Sequence, residues 1–359
     1  MPIKVAVIGC GNIANASHGP SYKKIPDVKL AYCVDIIPER TQAFKEKFGD
    51  EDTIALTDYH DFLSDESVEA VSICVHNDLH NPIAIDCLRA GKNVLSEKPA
   101  AITYAKAKEM QDVARETGKI LNIGVCCRFN HAVNMIKEYI DSGKLGNVYH
   151  IYASFRARRS IPGLGGAFTT KAESGGGVLI DWGVHYLDLI NYIMGIKEVR
   201  TVSGACYSKL AKTGSLQDYV YEYMWTDPKL DGTYDVEECV TGLIRTDKCT
   251  IDINGSWAEN TGCEDTRFID FLGDKGGIHY TYCGGFTYYS TKDGKLYQET
   301  PDHVTNSDLD DMYLEEIKAF LDCIKTGEHI RSHIDNNILT SKIMQGIYDS
   351  SDAGHEITF

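Results

Sequence analysis

The sequence predicts an α/β domain with a parallel sheet over residues 1–125, followed by an α+β domain with a large, mostly antiparallel open sheet over 126–359. Three observations predict it. The chain has 359 residues, which suits two domains at ~150 residues each. Up to about residue 125, short apolar runs alternate with amphipathic helical stretches, the rhythm of right-handed crossovers and a sheet covered on both faces. Beyond about 147 the hydrophobic period becomes two, which marks half-buried strands.

In the first half, residues 4–8, 29–35, 70–75, 93–96 and 120–124 read as buried strands. Helical patterns lie at 13–24, 39–48, 58–64, 81–90 and 103–117, and Gly91 and Gly118 follow two of them as stop signals. Residues 148–158 open the second half, with Ile151, Ala153, Phe155 and Ala157 on one side and Tyr152, Ser154, Arg156 and Arg158 on the other. Further strands are expected around 200–206, 219–226, 237–246, 249–258, 266–272, 277–282 and 286–291, separated by Gly, Asn and Asp. Helices at 177–194 and 309–326 interrupt them, and 335–350 is helical again. The C-terminal helix is expected to pack back on the first domain.

Composition narrows the function. Apolar residues make up 43% and charged residues 25%, ordinary for a globular chain. Lys and Arg number 36 against 52 Asp and Glu, a formal charge of −16. Such a surface repels nucleic acid and anionic lipid, so neither is an expected partner. No apolar run is long enough to span a bilayer. Residues 4–10 faintly imitate a secretory leader, but the run is short and ends in a glycine pattern, so it reads as a buried first strand. The 12 cysteines contain no C-x-x-C spacing, and several fall within apolar patterns. They read as free thiols in a reducing, cytoplasmic setting.

Gly9-Cys10-Gly11-Asn12-Ile13-Ala14 leaves the first strand and opens a helix. One glycine makes the tight turn, the second lets backbone approach a pyrophosphate, and a small third residue allows helix to pack on strand. Asp35 then ends the next strand, where a carboxylate binds the ribose diol of an adenosine and repels a 2′-phosphate. With Ile36 beside it, this is a Rossmann dinucleotide site preferring NAD over NADP. Arg40 reaches over the adenine or toward a 2′-phosphate, or is a solvated residue of a first helical turn.

Two more turns should border the same crevice. His76-Asn77-Asp78-Leu79-His80 follows the strand ending at Val75, and Glu97-Lys98-Pro99 follows the one ending near Ser96. Proline biases Lys98 to extended backbone and projects its side chain from the loop. In the second domain, Gly175-Gly176-Gly177 leads into a helix whose only polar line is Asp181, His185 and Asp188, on one face at i, i+4, i+7. Buried, these groups must be paired. They are either a structural Asp–His pair or a general base, His185, working beside Asp181. No third residue sits at a metal-ligand spacing, so no metal is expected.

With these residues in view, the chain resembles the Gfo/Idh/MocA oxidoreductases, the glucose–fructose oxidoreductase and inositol dehydrogenase group. The carriers are the glycine turn, Asp35, Asn77 with His80, the segment Ala90-Gly91-Lys92-Asn93-Val94-Leu95-Ser96-Glu97-Lys98-Pro99, Arg128-Phe129-Asn130, and Gly175-Gly176-Gly177 through Asp181, His185 and Asp188. The resemblance covers nearly the whole chain. It implies Lys98, Asp181 and His185 as the active-site trio and an open sheet that mediates a homo-oligomer. It also implies that Asn77, His80, Glu97 and Lys98 line the cofactor. Where the family often has Thr-Pro-Asn, this chain has Val75-His76-Asn77.

The expected reaction is oxidation of a secondary alcohol on a sugar, glycoside or cyclitol, for example C3 of a glucoside, with hydride passing to the nicotinamide. His185 would take the hydroxyl proton and Lys98 would steady the alkoxide. Arg156, Trp182 and the sheet tyrosines are candidates to grip a polyhydroxylated ring, with Arg158 beside them. Two alternatives stay open: a glycosidase that oxidises its sugar transiently on bound NAD, and a non-catalytic dinucleotide sensor.

Overall fold

The structure, a computed structural model, describes residues 2–210, 218, 228–262, 265–301 and 309–359. It divides into two compact units: Met1–Phe129 with Ser307–Ile338, and Asn130–Asn306 with Leu339–Phe359.

The first unit holds six parallel strands: β1 (Ile3–Ile8), β2 (Val28–Val34), β3 (Ile54–Leu56), β4 (Val68–Ile73), β5 (Asn93–Glu97) and β6 (Leu121–Gly124). Their order is β3-β2-β1-β4-β5-β6, so the chain reverses direction between β1 and β4 and opens a crevice at their carboxyl ends. Alternation decides the faces. Ala6 and Ile8 of β1 join Val71, Ile73, Ile83, Leu88 and Met110 in one apolar cluster. Val5 and Val7 join Tyr22, Phe44, Ile317, Phe320 and Leu321 in the other. The helix Leu309–Thr326 thus completes the second face of this unit, although sequence order places it among the elements of the second domain. Periodicity identifies a helix and its apolar stripe, but not the surface that receives it.

Two local differences from the sequence reading have physical causes. Strand β3 has only three residues, too few to show a period. The stretch expected as a turn at 76–80 is instead the first turn of helix Asn77–Arg89, capped by extended His76 and carrying Pro82 inside. Proline disfavours helix at the preceding residue, which made 81 look like a boundary.

Arg128 locks the end of this unit. It is wholly buried in the 3-10 turn Cys126–Phe129, and its guanidinium donates to the carbonyls of Arg331 and, at 2.9 Å, Asn336. Arg331 donates back to the Arg128 carbonyl at 3.1 Å and lies over the Phe129 ring. Arg128→Ala removes a charged donor from those partly shielded carbonyls and should cost about 2 kcal/mol, read as a lower denaturant midpoint. An unchanged midpoint would show that water replaces the guanidinium freely.

The second unit is built on nine strands: β7 (Val148–Arg156), β8 (Val199–Tyr207), β9 (Cys239–Thr246), β10 (Thr250–Ser256), β11 (Thr266–Gly273), β12 (Gly276–Thr281), β13 (Phe286–Lys292), β14 (Lys295–Glu299) and β15 (Ile357–Thr358). Their order is β14-β13-β12-β11-β7-β10-β9-β8-β15. All neighbours are antiparallel except β7 and β10. Ile151, Ala153 and Phe155 are buried while Tyr152 is exposed, as the alternation requires. The strand expected at 219–226 lies outside the described residues. Strand β14 is exposed nearly throughout and carries no alternation to read. Helix Ile334–Ala353 packs Ile347 so closely on β8 that only a glycine fits at Gly204.

All described cysteines are free thiols. No helix among the described residues is long and apolar enough to cross a membrane.

Candidate active site

The glycine turn follows β1 as the spacing predicts. Gly9 has φ +89°, a region L side chains rarely adopt. A Cβ there would overlap the Cys74 carbonyl. That carbonyl cannot retreat easily, because Cys74 N–H donates to Ile8 O at 2.7 Å and Gly9 N–H donates to Val34 O at 2.7 Å. Gly11 is the opposite case: nothing lies within 4 Å of where its Cβ would stand. One glycine fits the protein to itself, and the other leaves space for a ligand. Asn15 donates to the Cys10 and Gly11 carbonyls at 2.9 and 3.0 Å. The helix then passes through a wide π-type turn, Ala14–His18, before Gly19–Lys24, where Pro20 supplies no N–H to the ladder.

Asp35 does more than the motif requires. Its Oδ2 accepts the Cys10 N–H at 2.9 Å and its Oδ1 accepts the Ile37 N–H at 3.0 Å. The acid pins the glycine turn to the end of β2. Arg40 stands 4.0 Å from Oδ2, and Ile36 beside it is 86% exposed. Exposed Asn12 and half-buried Ile13 begin the helix. An open backbone cradle, a carboxylate and a bare apolar side chain at neighbouring strand ends fit a dinucleotide such as NAD. Gly9, Gly11, Asn12, Ile13, Asp35 and Ile36 are the residues of this unit that would hold it.

At the ends of β4 and β5, Asn77 opens the helix after β4. His80 is buried, with Nδ1 2.8 Å from the Pro99 carbonyl and Nε2 3.2 Å from that of Val75. It therefore ties the end of β4 to the loop carrying Lys98. Burial holds its pKa below the ordinary histidine value. Lys98 is half-buried. Its N–H donates to Glu97 Oε2 at 3.2 Å, and Glu97 Oε1 lies 3.0 Å from His18 Nε2. Sequence reasoning missed His18. It lies 79 residues from Glu97 and sits in an ordinary helical pattern, so only the crossover topology reveals the pair.

In the second unit, the helix carrying Asp181 and His185 starts as a π-type turn, Leu179–Gly183, and continues as Val184–Met194. Its entry is fixed by buried Glu237, whose Oε1 accepts the Gly177 and Leu179 N–H groups at 2.9 and 3.1 Å and the Tyr348 hydroxyl at 2.9 Å. Burial pushes the Glu237 pKa up, with those donors opposing it. A side chain at Gly177 would overlap the Glu237 backbone. Asp181, Trp182 and His185 are half-buried on this helix. The indole of buried Trp257 donates to Asp181 Oδ2 at 3.3 Å. Arg267 lies over the Trp182 ring at 4.9 Å, and the His185 ring stands 6.3 Å from that of Tyr282. Asp188 is fully within the fold, accepting from Thr340 at 3.3 Å. Arg156 is gripped by Glu259 through two bonds of 2.9 and 2.7 Å, and exposed Arg158 donates its backbone N–H to Asp265.

Residues 3–125 match the family described as an oxidoreductase family with an NAD-binding Rossmann fold. Residues 133–279 match the GFO/IDH/MocA C-terminal domain. The chain belongs to the GFO/IDH/MocA oxidoreductase family. Among curated relatives of this family member is D-glucoside 3-dehydrogenase of Escherichia coli K12, 28% identical over 357 residues, 99% of this chain and 97% of that one. Myo-inositol 2-dehydrogenase of Thermotoga maritima is 26% identical, covering 91% of this chain and 89% of the other. Levoglucosan dehydrogenase, solved with NADH and levoglucosan, shares the fold with a TM-score of 0.85 at 19% identity, covering 100% and 99% of the two chains.

This family member also gathers His329, His333 and Asp335 in its first unit, a grouping the spacing alone did not suggest. The two imidazoles stack 3.6 Å apart at 14°, so their lone pairs run side by side instead of converging on an ion. His333 Nδ1 already accepts the Asp335 N–H at 3.2 Å, while Gln111 and Arg115 hold Asp335 Oδ1 at 2.6 and 2.7 Å. Burial and His329 hold the His333 pKa down, at about 4. The cluster clips residues 329–335 onto helix Tyr104–Thr117.

Proposed function

We propose that this oxidoreductase converts a secondary alcohol of a sugar, glycoside or cyclitol to the ketone with NAD, a ring hydroxyl such as C3 of a glucoside being the preferred site. The observation that carries this is the end-to-end relationship to a D-glucoside 3-dehydrogenase. It is joined to a chain that keeps the glycine cradle, Asp35, Lys98, Asp181 and His185.

Bound NAD supplies the acceptor for the hydrogen that leaves the carbinol carbon as hydride. The rest falls to the protein. His185 takes the hydroxyl proton as general base. The Lys98 ammonium donates to the alkoxide and offsets its developing negative charge, help worth about 2–4 kcal/mol. Asp181, oriented by the Trp257 indole, binds a neighbouring hydroxyl or turns His185 toward the substrate. Asp35 favours a free ribose diol and hence NAD. The free thiols suit a reducing cytoplasm. The exposed face of the nine-stranded sheet, which bears Tyr152 and Tyr289, is the surface through which copies would associate.

The test is absorbance of reduced nicotinamide on mixing the protein with NAD and a panel of glycosides and cyclitols. Net reduction is expected. Aglycone release without net reduction would replace this reading with transient oxidation by a glycosidase. Silence despite NAD binding would replace it with a sensor.

A further inference from the structure

We infer that His18 is a positioning residue for Lys98: by pairing with Glu97, it keeps that carboxylate from capturing the lysine side chain. The inference rests on the reading that Lys98 donates to the substrate oxygen.

The geometry lies entirely within the first unit. The His18 imidazole is fully buried, with Nε2 3.0 Å from Glu97 Oε1 and Nδ1 3.1 Å from Ser72 Oγ. Ser72 in turn lies 2.7 Å from the Tyr22 hydroxyl. The other Glu97 oxygen takes the Lys98 N–H. Gly124 crowds the carboxylate from β6, leaving no room there for even a Cβ without displacement. An apolar pair of similar volume would hold these strands together at least as well, because burying two charges costs more than their attraction routinely returns. A buried ion pair in the residue next to the reactive lysine therefore serves something besides stability.

The charge states agree with this role. Burial pulls the His18 pKa down, but the neighbouring Cys74 and Glu97 outweigh it and hold it well above the ordinary histidine value. Burial alone would raise Glu97, yet His18, followed by Lys98 and His80, brings it below the ordinary carboxylate value. The groups facing His18 are Ser72 and Cys74 at the end of β4, Glu97 on β5, and Tyr313 and Glu316 on helix Leu309–Thr326, with Tyr22 behind Ser72. Burial, reinforced by Glu97, raises the Glu316 pKa well above its usual value and so favours its neutral form. These directions favour one negative charge, on Glu97, beside one positive charge, on His18. Without the imidazolium, Glu97 is left with an unbalanced charge, and Lys98, whose ammonium already acts on that carboxylate, is the next residue along the chain.

His18→Gln keeps a hydrogen-bond donor but removes the charge. Turnover should fall about tenfold with the KM for NAD unchanged. The sign with pH follows from the raised His18 pKa. The imidazolium is present below that value and lost as pH rises through it, so the parent-to-variant turnover ratio should shrink toward one in alkaline solution. Adding Glu97→Gln should restore much of the loss, because the double variant buries no charge. A ratio that stays constant with pH, or a double variant worse than the single one, would overturn the inference and leave His18 a packing residue. Should His18→Gln fail to fold, the parent itself decides. Imidazole carbon-13 titration should show a buried ring that stays doubly protonated above the ordinary histidine range, and finding none refutes the proposal. If Lys98→Ala keeps full turnover, it is the role of Lys98 that fails, not the pairing.

Discussion

Turnover of the Lys98→Ala variant is expected to fall about 10²-fold or more, while NAD binds as it does to the parent. The argument is local. Lys98 follows β5 directly, its backbone N–H is fixed by Glu97, and the next residue's carbonyl is fixed by His80. The main chain at this point is held from both sides, so truncating the side chain leaves its course intact. What disappears is the ammonium proposed to steady the alkoxide. Removing a single preorganised donor of that kind raises a barrier by about 2–4 kcal/mol. The measurement is steady-state turnover beside calorimetric NAD titration. Parent-like turnover would remove Lys98 from the chemistry. Lost NAD affinity with turnover preserved at saturation would make it a cofactor contact instead.

The second large effect separates two glycines that look alike in sequence. Gly9→Ala should unfold more easily and lose NAD. Positive φ costs an L residue roughly 1–2 kcal/mol, and relieving the overlap with the Cys74 carbonyl adds about 1–3 kcal/mol. Gly11→Ala should behave differently. Its Cβ meets no protein atom, so thermal stability should stay near the parent's, yet the methyl group fills the space that backbone must leave for a pyrophosphate. NAD affinity should then drop at least tenfold, a loss of about 1.4 kcal/mol. Thermal unfolding with NAD titration on both variants checks this. A Gly11→Ala protein that binds NAD as tightly as the parent would move the phosphates elsewhere.

Much of this was legible because the relevant physics is local. The glycine turn, the acid at the end of the next strand and the period-two strands each follow from a few adjacent residues. The sixfold parallel sheet followed from alternation alone, apart from β3, whose three residues carry no period. What escaped depends on separation in sequence. The parallel pairing of β7 with β10 joins segments about a hundred residues apart, and nothing in either strand names its partner. Helix Leu309–Thr326 shows an apolar stripe, but its receiving surface is formed by β1, β2 and their helices. The same holds at the site. Lys98, Asp181 and His185 stand out as polar residues in apolar or glycine-rich surroundings. His18 and Glu237 read as an ordinary helix residue and an ordinary acid until folding buries them. Arg156 lies on the expected strand face, and folding adds a partner its strand does not name, Glu259, which takes two of its guanidinium bonds.

The two amides held by Asp35 limit how this protein can drift in cofactor choice. Deleting the acid to admit a phosphorylated ribose would strand the Cys10 and Ile37 amides together and slacken the turn that shapes the cradle. Even asparagine, with one acceptor oxygen, leaves one of them facing a second donor. A lineage or an engineer seeking that exchange must first find a new acceptor for both amides, so the present preference is locked by folding as well as by recognition.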